Sequence, residues 1–192
     1  MTSDFLLYFK TGWEHIISLD ALDHLLFVTA LTVAYSVRQW KALLILITAF
    51  TIGHSLTLAL SVLDLIRFSQ PLVEFLIPCT ILLAAAMNFL PREGHPEIRR
   101  VQYVLALLFG LIHGMGFANT IRFMLASDQT VGWPLFAFNV GLEAGQIVVV
   151  ALLLSAGWII QKLKVPEKGW RWIISALAFA EAALMAVQRW PF

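Results

Sequence analysis

The stretch VQYVLALLFGLIHGMGFANTIRFML, residues 101–125, decides the fold. A membrane-spanning helix needs about 20 mostly apolar residues, and this stretch supplies them while carrying His113 at its middle. Working outward, five more stretches read the same way: about 21–39, 40–63, 71–90, 133–160 and 172–187. Residues 1–19 differ, because Phe5, Phe9, Trp13 and Ile16 alternate with scattered charges. That pattern suits an interfacial or re-entrant helix. The expected fold is all-α, a polytopic membrane helix bundle of six transmembrane helices plus this N-terminal segment, in one transmembrane domain over 1–192.

Composition agrees. Hydrophobic residues make up 60% of the chain and charged ones 13%, and the mean hydropathy is +0.83, which excludes an ordinary soluble domain. A formal net charge of +1 gives no electrostatic reason to expect nucleic acid. Cys79 is the single cysteine, so no intramolecular disulfide can form. The start, MTSDFLLYF, lacks the cationic n-region of a signal peptide, and the chain reads as mature from Met1.

Lys and Arg in short loops set orientation. Nine of the 13 lie after the first, third and fifth spans: Arg38, Lys41, Arg92, Arg99, Arg100, Lys162, Lys164, Lys168 and Arg171. Those loops are expected inside the cell and both termini outside. On that frame Asp23 and His24, His54, Glu74, His113 and Glu143, from five different spans, all fall between the outer interface and the mid-plane. Ionisable groups at membrane depth are costly and mark functional sites by default.

Local spacing adds detail. Asp20, Asp23 and His24 stand at i, i+3 and i+4, as do Thr51, His54 and Ser55, while Asn139, Glu143 and Gln146 form a polar stripe. Gly110 and Gly114 flank His113, and Gly141 and Gly145 flank Glu143. Small residues four apart let helices approach closely, which predicts a seam between the fourth and fifth spans joining His113 to Glu143. Each polar residue also has a plainer reading. Asp23 favours a helix start, Glu74 the positive end of a helix dipole, and a lone intramembrane His can bond a neighbouring carbonyl. Glu181, in the sixth span, pairs on this reading with another helix. His95, in a polar loop, reads as solvated.

The strings ALDHLLFV (21–28), FTIGHSLTLAL (50–60), VEFLIP (73–78), FGLIHGMGFAN (109–119) and FNVGLEAGQ (138–146) resemble, in order, the signatures of the HupE/UreJ family of small bacterial membrane proteins. The resemblance implies a multi-pass protein of the bacterial cytoplasmic (inner) membrane, linked to nickel supply for hydrogenases and ureases. It carries the family's histidine and Asp-His motif onto His15, Asp23 and His24. Seven residues separate His15 from Asp23 here, against five in the usual pattern. His113 matches the histidine of the fourth-span motif, with Leu111 and Ile112 before it in place of a second histidine.

Imidazole and carboxylate suit a divalent transition metal such as nickel or zinc, and the lack of clustered thiols or thioethers disfavours copper(I). The expected ligands are His24, His54, His113, Asp23, Glu74 and Glu143, supported by Thr51, Ser55, Asn139 and Gln146. His15, Asp20 and Glu181 are further candidates, His15 as an outer vestibule ligand and Glu181 deep in the sixth span. Three functions remain open: metal transport or delivery; an intramembrane zinc-type hydrolase with Asp23 or Glu74 as base; and an accessory or structural subunit. Expected partners are the lipid bilayer and a metal ion, with a homo-oligomer left open. The apolar inner segments KALLILIT (41–48) and VQYVLALL (101–108) argue against simple permeation.

Overall fold

The computed structural model describes residues 2–18, 21–90, 96–124 and 131–191, and these are all helix, turn or short link. Seven α-helices follow in order: α1 (Thr2–Ile17), α2 (Leu22–Thr32), α3 (Trp40–Val62), α4 (Gln70–Ala86), α5 (Pro96–Met124), α6 (Gly132–Lys162) and α7 (Glu167–Gln188). Short 3-10 turns at Val37–Gln39 and Met87–Phe89 precede α3 and extend α4. Five helical stretches, ending with α7, are long and apolar enough to cross a membrane. The pair α1–α2, bent by 66°, makes a sixth if it is one broken span.

The first span is shorter than expected. α2 has 11 residues, about 16 Å at 1.5 Å per residue, half of a hydrocarbon core about 30 Å thick. The chain leaves the helix because Ser36 opens a new one. Ser36 is extended, and the Gln39 side chain accepts a hydrogen bond from its backbone N–H at 3.1 Å, half of a capping box. Ends elsewhere follow local rules. α3 closes with Asp64 at φ 59 and the bond from Leu65 N–H to Leu60 O at 2.9 Å, a Schellman ending. Lys164, at φ 62, closes α6 the same way before Pro166. Pro71 sits in the first turn of α4, after extended Ser69.

Glycines decide which helices touch. A Cβ on Gly114 would lie 2.2 Å from the His54 carbonyl oxygen, and one on Gly110 2.1 Å from that of Phe50. α5 therefore packs backbone to backbone on α3, and the Thr57 hydroxyl donates across the contact to Leu111 O at 2.8 Å. Gly141 meets α1 instead, its Cβ position 2.0 Å from Phe9 O, and Gly145 faces Trp13 and Ile16. The anticipated seam between the fourth and fifth spans is thus replaced by two others, α3–α5 and α1–α6. α4 packs on α7, and α2 contacts α4, α6 and α7. α1, expected as an interfacial or re-entrant helix, packs on α6, and its bend into α2 fits a re-entrant loop as well as a broken span.

Candidate metal centre

These packings carry four histidines from four helices to one place: His15 from the last turn of α1, His24 from the first turn of α2, His54 from α3 and His113 from α5. Ring centroids are 4.3 Å apart for His15–His24, 5.8 Å for His15–His54, 6.0 Å for His24–His54 and 4.9 Å for His24–His113. One ring nitrogen from each of His15, His24 and His54 lies within 4.8 Å of the others. Metal–nitrogen bonds of about 2 Å would draw those nitrogens closer together.

Hydrogen bonds select the nitrogen each ring offers. Asp23 Oδ1 accepts from the backbone N–H of His24 at 2.9 Å and faces its Nδ1 at 3.1 Å. A carboxylate only accepts, so Nδ1 carries the proton and Nε2 presents its lone pair. That nitrogen is buried and has no partner. The Thr80 hydroxyl gives its one proton to Ile77 O at 2.7 Å, so its oxygen accepts from His113 Nε2 at 2.9 Å. His113 Nδ1 is then the free lone pair, again buried and unpartnered. Both nitrogens of His54 and Nε2 of His15 share that condition, and His54 and His113 are each 0% exposed. A buried polar atom without a partner costs about 1–3 kcal/mol, so five of them together fit a group that could hold a metal ion.

Access comes from one end. A cavity of about 930 Å³ reaches His15, His24 and His113 between α1, α4 and the C-terminal end of α7, with Glu14, Glu74 and Arg189 in its walls. Arg189 Nη1 donates to Asp23 Oδ2 at 3.4 Å, so both oxygens of Asp23 are engaged. Glu74 Oε1 accepts from Gln70 Nε2 at 3.0 Å. On the far side Phe27 and Phe50 lie against His113, with centroids at 5.0 and 5.2 Å.

The remaining expected residues stand apart from the rings. Glu143 accepts from Thr48 Oγ1 at 3.1 Å and is not in the cavity wall. Thr51 donates to Gln146 Oε1 at 2.9 Å, Ser55 to Thr51 O at 2.7 Å, and Asn139 to Leu135 O at 2.9 Å. Among the described residues, the hydrogen bonds that reach histidine rings come from Asp23 and Thr80. Glu181 is half-buried on α7, outside the cavity wall, and Asp20 and His95 lie outside the described residues. Thr80 and Arg189 had no motif to announce them, although a hydroxyl six residues after Glu74 in an apolar helix was a visible cue. His15 and His24 come together across the bend between α1 and α2.

A multi-pass helical membrane protein with a buried histidine cluster is the class these features define. The HupE / UreJ protein family model matches residues 1–190, and the chain belongs to that family. No curated protein and no solved structure matches it.

Proposed function

We propose that this protein takes up a divalent transition-metal ion from the extracytoplasmic side and holds it at His15, His24 and His54, for transport or delivery across the membrane. The buried ring nitrogens without partners carry this reading, with His15, His24 and His113 in the wall of one open cavity and His54 packed against His15 and His24. Asp23 fixes the His24 tautomer, as a carboxylate behind a ligating imidazole does, and His113 offers its free Nδ1 next in depth. Glu14 and Glu74 in the cavity wall attract cations. An all-imidazole set suits nickel and zinc alike, and the family's link with nickel favours nickel as the cargo. The Lys and Arg bias supports termini, cavity mouth and site on the outer side of a bacterial inner membrane.

The hydrolase reading is the weaker one. Asp23 has both oxygens occupied, which leaves Glu74 as its base. A purely structural role leaves the orphaned nitrogens unexplained. The test is metal content of purified full-length protein, wild type against His54→Ala. Stoichiometric nickel or zinc in the wild type, lost in the variant, is expected. Wild-type protein that stays metal-free after equilibration with either ion would sink the proposal.

A further inference from the structure

On the side of the histidines away from the cavity, α5 presents Gln102, Phe109 and His113 at i, i+7 and i+11, one helical face, all buried. α2 carries His24 and Phe27 at i and i+3, and Tyr35 follows in the link just past the end of α2. The aromatic members meet: Phe27 lies 4.7 Å from Phe50 and 5.8 Å from Phe109. They form one apolar layer directly beneath His113. Beyond it the polar members meet too. The Tyr35 hydroxyl donates to Gln102 Oε1 at 2.9 Å, and Asn88 Nδ2 donates to Ser175 Oγ at 2.9 Å and Ala30 O at 2.7 Å.

Phe109, Asn88 and Gln102 border a void of about 10 Å³. Thr32, one turn before Tyr35, keeps a buried hydroxyl with no partner beside a second void of about 20 Å³. Each void is about the size of one water. Interhelical polar pairs can serve as simple glue, but glue accounts for neither the voids nor the orphaned Thr32 hydroxyl.

Resting on the metal-uptake reading above, we propose that Phe27, Phe50 and Phe109 are a closed gate, and that Gln102, Tyr35 and Asn88 form a second, oxygen-lined station through which the ion leaves. An apolar constriction blocks passage by excluding water, and conduction needs a following site weak enough to release the ion. Amide and phenol oxygens meet that need better than imidazoles. Gln102 and His113 are 11 residues apart on one helix, about 16 Å along its axis, so the two stations occupy different depths.

The experiment uses full-length protein in proteoliposomes with an entrapped nickel-sensing dye, Ni²⁺ added outside, and bound nickel measured on the same protein. Phe109→Ala is expected to speed nickel influx several-fold, and Gln102→Leu to slow it several-fold, both with bound nickel unchanged. Should Phe109→Ala lose its bound nickel, Phe27→Leu replaces it and is expected to speed influx. Nickel bound normally with influx indifferent to the Phe and Gln102 variants overturns the gate alone. Wild-type protein that binds no nickel or zinc overturns the histidine site first, and the gate with it.

Discussion

The two ends of the bundle handle buried polarity in opposite ways. At the cavity end, five ring nitrogens of His15, His24, His54 and His113 are buried without partners. At the other end, Tyr35 bonds Gln102 and Asn88 bonds Ser175. Leaving one group unpaired is costly, and a satisfied pair is close to neutral. The first end therefore offers lone pairs that could hold a metal ion, and the second has most of its polar groups paired within the bundle. Between them lies a layer of three phenylalanines.

This contrast can be broken by substitution. His24→Ala or His54→Ala should abolish stoichiometric metal binding, read as metal per protein after gel filtration. Retention in both would remove the functional meaning of the orphaned nitrogens. Asp23→Asn keeps the shape but weakens the hold on His24 Nδ1, and should lower metal affinity about 10–100-fold. Equilibrium competition with a chelating dye measures that loss, and an unchanged affinity would reduce Asp23 to a partner of Arg189. Lowering the pH should weaken binding for a related reason, since protons compete for the lone pairs that bind metal. Titration of affinity against pH checks the sign, and a rise on acidification would exclude imidazole ligands.

Smaller effects sharpen the comparison. Gly114→Ala drives a methyl against the His54 carbonyl, so it should cost about 1–3 kcal/mol as overpacking does, and displace His54 and His113. A lower melting temperature with weakened metal binding is the expected pair of results. Stability lost with binding intact would mean that the α3–α5 contact does not position the site. Tyr35→Phe removes one interhelical hydrogen bond, worth about 0.6 kcal/mol in membrane proteins, and should leave metal binding untouched. Loss of binding there would show that the two ends are not separate.

Much of this was readable before the fold was known. The Asp23-His24 pair, His54 and His113 stood out because charge and imidazole are rare in apolar helices. Pairing was not readable. Gly110–Gly114 and Gly141–Gly145 announce close approach, but a small-residue face fits any helix that offers another. α5 took α3 and α6 took α1, so Glu143 ended beside Thr48 rather than with His113. Thr80 was visible as a hydroxyl in an apolar helix, but one hydroxyl alone does not say which side chain it faces. The largely apolar segments Lys41–Thr48 and Val101–Leu108 argued against a path inward, and the polar groups beyond the Phe layer are Gln102 at the start of the second segment together with Tyr35, Asn88 and Ser175, scattered singly along the chain.

The chain by itself determined that it is a multi-pass membrane protein, where most of its apolar helices lie, and which side chains are too costly to be there idly. Those properties are local, set by transfer free energy residue by residue. Only the tertiary structure decided that His15 joins His24 and His54, that Asp23 and Thr80 orient the rings, and that three phenylalanines part the two ends. Each of these depends on which helix faces which across distant sequence, and backbone contact at a few glycines settles that choice.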